Sequence, residues 1–394
     1  MPGHAGTGGR DVIFAWEQCK AKELFESKSK KDHSDLPVLS ATQENGIVFR
    51  NDLDIDIKFD THALSNYKVV SPGDYIISLR SFQGGFELSE KRGIISPAYT
   101  VFAFNNQEKN KQNSTFWKYL FKRYDFIESL KRLTFGIRDG KAISFNQFST
   151  LKLSFPNFDE QNKIATLLHE LDRTITLHEE KKRQLERLKR ALLQKMFADK
   201  SGYPAVRFKG FGGNWKERKF GELGTIEMCK RIFKDQTTDD GEIPFYKIGT
   251  FGGRPNAYIS REIFERYKRL YPYPTKGDIL ISTSGSIGRV VEYTGQEAYY
   301  QDSNIVWLNH NDLISNSFLK YLYKTVNWNG VEGSTIKRLY NNNILKTKIR
   351  IPSSCEQEKI GGILSTLDHL LSHHQQKIDI VKLIKQSLLQ NMFI

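Results

Sequence analysis

Cysteine is scarce. Cys19, Cys229 and Cys355 are scattered through 394 residues. An odd, dispersed set fits neither a disulfide framework nor a zinc site; it suits a reducing cytosol, and a cytoplasmic location is expected. No apolar run reaches the about 18 residues that a membrane-spanning helix needs. The opening MPGHAGTGGR lacks the apolar core of a signal peptide. Residues 1–15 are expected to be disordered and tag-like. The chain has no Gly-x-x-x-x-Gly-Lys-Ser/Thr phosphate loop, and its nine histidines show no HExxH or other metal spacing. Ser96-Pro-Ala-Tyr99 has the outline of the Asn-Pro-Pro-Tyr signature of adenine methyltransferases but lacks the Asn that would bond the target amino group. Phe208-Lys-Gly-Phe-Gly212 matches a glycine-rich cofactor pattern by letter only; no buried strand precedes it and no helix follows, so a surface turn is expected. No catalytic residue, metal ligand or cofactor is therefore expected on this chain.

What is present is a repeat. Pro156–Phe197 aligns without a gap with Pro352–Phe393, and 16 of the 42 positions are identical, including Glu160/Glu356, Gln161/Gln357, Asp172/Asp368, His178/His374 and the closing Leu-Leu-Gln-x-Met-Phe. Each copy reads as one long helix of period seven. One seam carries Ile164, Leu168, Leu171, Ile175, Leu185, Leu192 and Met196; the other carries Ile360, Leu364, Leu367, Leu371, Ile378, Val381, Leu388 and Met392. A helix of about 42 residues is roughly 60 Å long. With so much apolar surface, the two are expected to pack on each other. The first leaves one block and reaches the next, and the second must return, so an antiparallel coiled coil is expected. His178, Lys182 and Lys189 interrupt one seam, and His374 and Lys385 the other. His178 and Lys182 should meet His374 and its neighbours in a polar layer that fixes register.

The net charge is +14, and more than half of the excess lies in residues 202–352. A basic folded block, as opposed to a basic tail, favours a surface that binds a polyanion, nucleic acid first. The first block, 16–153, opens with Trp16–Leu24. Strand-like runs follow at Pro37–Ser40, Gly46–Phe49, Tyr67–Val70, Asp74–Leu79 and Ala98–Phe104. Ser114–Leu133 reads as one helix, with Trp117, Leu120, Phe121, Tyr124 and Ile127 on its apolar side. The expectation is a mixed α/β domain with a curved sheet. The second block, 201–352, reads as a diverged copy. Trp215–Leu223 matches the Trp16 segment, and Gly277-Asp-Ile-Leu-Ile-Ser282 matches Gly73-Asp-Tyr-Ile-Ile-Ser78. Gly333–Arg338 stands where Gly136–Lys141 stands. The order is thus recognition-type block (16–153), helix (154–200), block (201–352), helix (353–394), with pseudo-two-fold symmetry. The fold class is α/β in the mixed, α+β sense.

Basic, polar and aromatic loops stand out. They place candidate DNA contacts at Arg80, Ser81, Gln83, Arg138 and Lys141 in the first block. In the second block they are Lys230, Arg231, Ser284, Ser286, Arg289, Lys337, Arg338 and Tyr340. Arg and Gln can bond base edges bidentately, whereas Lys and Ser more often hold phosphates. The helix seams, with His178 and His374, are the candidate coiled-coil and partner interface.

The duplicated helix (PNFDEQNKI…LLQKMF and PSSCEQEKI…LLQNMF), GNWKERKFGEL and GDILISTSGSIG together resemble the specificity (S) subunits of type I restriction–modification systems, over nearly the whole chain. The first block lacks a counterpart of Pro204–Trp215, so its start is expected to be altered or missing. The resemblance implies two target-recognition domains, each reading half of a split site on double-stranded DNA. The helices would hold them apart and bind two methyltransferase (modification) subunits. Restriction subunits, which hydrolyse ATP and cut DNA, would join in host defence. S-adenosylmethionine, ATP and magnesium then belong to the partners. The resemblance implies a non-catalytic subunit; two unequal basic blocks on a rigid rod would read two half-sites at fixed spacing, so helix length is expected to set the number of unread base pairs. Two alternatives stand beside it: a structural coiled-coil adaptor, and a DNA methyltransferase or nuclease in its own right.

Overall fold

The computed structural model describes residues 16–42, 45–53, 61–79, 81–133, 143–199, 201–328 and 338–393. Residues 1–15, expected to be disordered, lie outside this set, as does Gly136–Lys141. The chain forms two compact units. One comprises Met1–His178 with Gln376–Ile394; the other is Glu179–Gln375. Two 38-residue helices, Phe158–Lys195 and Ser354–Asn391, each contribute one part to each unit.

In the first unit, Glu17–Lys20 pairs antiparallel with Lys152–Phe155. A four-stranded antiparallel sheet runs in the order Phe25–Lys28, Thr100–Phe104, Tyr75–Ile77, Glu87–Leu88. Leu39–Thr42 pairs with Gly46–Phe49, and Lys68–Val70 with Gly93–Ile95. The alternation of Tyr75, Ile76 and Ile77 sets the layers. Tyr75 and Ile77 face an aromatic core with Phe25, Phe102, Trp117 and Phe121, while Ile76 joins Leu39, Val70, Ile95 and Val101 on the other side. The second unit repeats the frame. Lys216–Lys219 pairs with Lys348–Ile351. A four-stranded sheet orders Gly224–Glu227, Ile305–His310, Ile279–Ser282, Val290–Glu292. Ile279 and Ile281 face one core and Leu280 the other.

The shared Gly-Asp signature is a turn. In Ser71-Pro-Gly-Asp74 and Thr275-Lys-Gly-Asp278 the fourth N–H donates to the first carbonyl, at 3.0 Å in both. Gly73 and Gly277 take φ of +93° and +100° at the third position, where only glycine sits without strain. The Asp carboxylates accept the backbone N–H of Ser71 (2.8 Å) and Thr275 (2.7 Å), closing the turn from the side chain.

The duplicated helix residues lock each unit. Gln161 and Gln357 are buried at 1% exposure. Each accepts the N–H at the head of a short helix, Asn113 at 3.0 Å and Ser315 at 2.9 Å, and returns a bond to the carbonyl of Pro156 or Pro352. In the first unit Tyr119 Oη donates to Asp172 at 2.8 Å, and Lys385 Nζ donates to the other oxygen at 2.5 Å. In the second, Tyr321 and Lys189 do the same to Asp368. The Lys partner of each Asp comes from the opposite long helix, and in the second unit the pairs Lys182–Gln375 and Lys189–Asp368 advance along one helix as they recede along the other, so the two segments there run antiparallel. Lys182 donates to Gln375 at 2.7 Å, beside His374. The closing Phe of each repeat is a plug. Phe393 stacks on Phe116 (5.3 Å) edge-on to Trp16 (6.0 Å); Phe197 stacks on Phe318 (5.3 Å) edge-on to Trp215 (6.3 Å).

The structure corrects one expectation. Ser114–Leu133 is two helices, Ser114–Leu120 and Tyr124–Leu133. The break shifts the phase: Phe126 and Leu130 are buried, while Tyr124 is 77% exposed. The break is set by packing, since the Phe121 carbonyl abuts Gly85, where a Cβ would lie 1.9 Å from that oxygen. The long helices contact each other as expected, and their seams also serve the domain cores. Ile164 and Leu168 sink into the first domain's aromatic core, and Ile360, Leu364 and Leu367 into the second's. Leu171 and Leu388 pack at the edge of the first core, and Leu185 and Leu192 at the edge of the second. Val381, His178 and His374 are half-buried.

Candidate nucleic-acid interface

Among the described residues, no group of three His, Cys, Asp or Glu could hold a metal ion, and no helix is long and apolar enough to cross a membrane.

In the second unit the strand Ile279–Ser282 runs into the loop Thr283–Arg289. Ser282 organises it: its Oγ accepts the Arg289 N–H at 2.9 Å and donates to the Ser286 carbonyl. Ser286 and Arg289 are exposed, and Arg289 donates to the Phe251 carbonyl at 2.8 Å. Thr283 and Ser284 face a second turn, Gln301–Asn304. Thr283 Oγ1 donates to the Ser303 carbonyl at 2.7 Å, and Ser284 Oγ to Asn304 Oδ1 at 2.8 Å. A third segment joins them, since Ser284 bridges Arg338 and the Leu339 N–H donates to the Thr283 carbonyl at 2.8 Å. Arg338 donates to Ser303 Oγ at 3.1 Å and lies 5.8 Å from the Tyr340 ring. Arg231 closes the ring of contacts through Asp302 at 2.8 Å, and Lys230 sits 4.9 Å over Tyr271.

The sequence-predicted residues Lys230, Arg231, Ser284, Ser286, Arg289, Arg338 and Tyr340 thus fall in one linked set of loops. Two of them, Arg338 and Tyr340, line a cleft of about 410 Å³ together with Met228, Ser303, Leu339, Asn341 and Asn342. Ser303 takes φ of +52°, a left-handed conformation uncommon for a residue with a Cβ, and such outliers cluster at functional sites. Arg338 carries five N–H donors in a planar fork, and one of them bonds Ser303. Ser284 is only 7% exposed and shapes the loop. Sequence reading missed Asp302, Ser303, Asn304, Asn341 and Asn342. The polar tetrapeptide Gln301–Asn304 between two strands and the triple Asn341–Asn343 were the available signals.

In the first unit Ser81 is corrected. It is 1% exposed and its hydroxyl donates to the Ser78 carbonyl at 2.9 Å, because the expected loop is a turn of helix, Ser81–Gly84, packed on Tyr124–Leu133. Gln83 on the same turn is exposed. Arg80, Arg138, Lys141 and Lys337 lie outside the described residues.

The two frames agree while the elements around them differ. The second unit adds a three-stranded sheet, Tyr258–Ile259, Ile243–Tyr246, Tyr299–Tyr300, and a ten-residue helix, Arg261–Leu270. On the long helices, equivalent positions expose apolar side chains: Leu167 (42%) with Ile363 (37%), and Leu188 (48%) with Ile384 (46%).

The model of the type I restriction modification DNA specificity domain matches this chain twice, over residues 13–187 and 212–383. A Haemophilus influenzae protein named as a type I restriction enzyme specificity subunit is 53% identical over 153 residues, 39% of this chain and 40% of that protein. The type I restriction enzyme MjaIX specificity subunit of Methanocaldococcus jannaschii is 26% identical over 196 residues, 46% of this chain and 44% of that one. The chain therefore spans less than half the length of these two relatives where it matches them. Among solved structures, the S subunit of a type I restriction–modification system from M. genitalium shares the fold, with a TM-score of 0.63 at 16% identity over 98% of both chains. A chain from a structure describing complex assembly and conformational transition of the type I R-M system has a TM-score of 0.51 at 16% identity, covering 98% of this chain and 99% of that one. With the domain model matched over most of its length, the chain belongs to the family of type I restriction–modification DNA specificity domains and carries that domain twice.

Proposed function

We propose that the chain is a non-catalytic subunit that reads a two-part DNA site, with recognition domains at 16–153 and 201–352 joined by spacer helices at 154–200 and 353–394. One observation carries the reading: the two units share the turn, the buried glutamine and the aromatic plug, and differ in the elements outside that frame. A common scaffold with unlike surfaces is what two unlike half-sites require. In the second unit the reader is the cleft at Ser303, Arg338, Tyr340, Asn341 and Asn342. An arginine fork suits guanine and an asparagine amide suits adenine in the major groove.

The matched exposed pairs Leu167/Ile363 and Leu188/Ile384 support two copies of one partner on the helices, and methyltransferase subunits are the partners proposed. They would bring S-adenosylmethionine; restriction subunits would bring ATP and magnesium chemistry. The test is methylome sequencing of DNA from cells expressing this chain with its methyltransferase subunit. A split, asymmetric methylated motif is expected. An assembled complex that leaves no sequence-specific methylation would overturn the reading.

A further inference from the structure

We infer that the helix Arg261–Leu270, together with Lys230, grips the DNA backbone beside the cleft that reads the second half-site. This rests on the DNA-reading function proposed above and adds a division of labour within one domain.

The helix forms for local reasons. Ser260 caps it, accepting the Ile263 N–H at 3.3 Å. Phe264 is fully buried, and Ile263 and Tyr267 are half-buried on the same side. Its two ends then differ in charge. Arg261 at the start is neutralised by Glu242 (3.2 Å), Glu297 (3.0 Å) and Glu265 (3.8 Å). Arg266, Lys268 and Arg269 at the other end are exposed, and none of them is in an ion pair among the described residues. Part of this has a plain cause. Cations are favoured in the last turn of a helix, and Arg266 and Lys268 lie over the rings of Tyr267 and Phe264. After the Arg261 bond and charge, the Lys268 charge also helps to hold the Glu297 carboxyl below its usual range, whereas Arg269 is in no ring contact among the described residues.

The helix is also continuous with the cleft. Tyr271 follows it directly, with Lys230 over its ring at 4.9 Å. The next residue, Arg231, bonds Asp302, and Arg338 bonds the adjacent Ser303. The exposed cations Lys230, Arg266 and Arg269 therefore lie on the elements that the Tyr271 contact links to the reading cleft. Phosphates recur every few ångströms along a duplex, so a row of point charges meets them whatever the sequence. In the corresponding place before the first unit's Gly-Asp turn, the described residues hold a short 3-10 segment, Thr61–Asn66.

The test uses the full chain assembled with its methyltransferase subunits and measures affinity against salt on two duplexes, one carrying the methylome-mapped motif and one scrambled. For the variant K230Q/R266Q/R269Q, the slope of log K against log salt should fall by up to about 2.7, roughly a 40-fold smaller loss of affinity between about 50 and 200 mM salt. The loss of affinity should be equal on both duplexes, leaving their ratio unchanged. Lysine at 266 and 269 (R266K/R269K) should keep the wild-type slope, since a point charge suffices for phosphate. An unchanged slope in the glutamine variant, or a change in the ratio alone, would overturn the inference. A wild-type complex without salt-dependent binding would instead overturn the function on which it rests.

Discussion

Replacing Phe393 with alanine tests the lock that joins the second long helix to the first domain. Phe393 is 3% exposed, stacked on Phe116, edge-on to Trp16 and 5.2 Å from the Arg123 guanidinium. Truncating a buried Phe to Ala costs about 3–5 kcal/mol through lost burial and the cavity left behind. The ring pairs contribute about 0.5–1.5 kcal/mol each within that figure. The pocket can partly collapse, because the helical residues end at Asn391 just before the plug. The lower end, about 3 kcal/mol, is therefore expected. For a unit of this size that lowers its melting temperature by about 6–12 °C. Scanning calorimetry of the full chain should show this loss in the transition that includes the first domain. F197A should act on the second by a similar amount, since its helix too ends two residues before the plug. F393L should recover part of the loss by restoring apolar volume without the stack. A shift below about 1 °C for F393A, with F197A strongly destabilising, would refute the equivalence of the two plugs.

Three further outcomes are expected. K385M leaves Asp172 with Tyr119 alone and should cost about 1–2 kcal/mol in urea unfolding, most of it vanishing in a double-mutant cycle with D172N. Burial raises the pKa of Asp368, but the bonds from Lys189 and Tyr321 and the charges of Lys189 and Lys324 outweigh it and hold the carboxyl below its usual range. Its stabilising effect is thus full above the unfolded value near 3.8 and is lost as pH falls through the lower folded value; D368N should flatten that acid limb of the stability profile. G85A places a Cβ 1.9 Å from the Phe121 carbonyl at a φ of +76° and should unfold or severely destabilise the first unit, read by circular dichroism, while G212A, with open space around it and no left-handed φ, should leave the fold intact.

The long helices and the duplication were legible because period-seven apolar spacing and identical residues are local signals. So was the Gly-Asp turn, whose glycine is demanded by backbone conformation. The sheet order was not legible, because Ile305–His310 inserts between Gly224–Glu227 and Ile279–Ser282, strands distant in sequence. Tyr124 was misplaced because a three-residue break, set by the approach of Gly85 to Phe121, resets the helical phase. Ser81 was misread for a similar reason: its hydroxyl serves a helical turn that only tertiary packing creates. Of the interface, the arginines were visible by charge. Ser303 was not, since what marks it is a dihedral angle. The helix Arg261–Leu270 carried a readable signal, Ser260 followed by Ile263, Phe264 and Tyr267 at helical spacing.

The division of the chain also has a consequence for synthesis. The first unit needs residues 376–393, yet residues 179–375 must be made in between. At roughly 5–20 residues per second, the ribosome takes about 10–40 s over that stretch. Through that interval the pocket formed by Trp16 and Phe116 is without Phe393, and Asp172 is without Lys385. The second unit meets no such delay, since Phe197 and Lys189 emerge before the domain they complete. The nascent chain is thus obliged to finish its later half first, and the earlier half spends its youth with an aromatic socket open to chaperones or to the wrong neighbour.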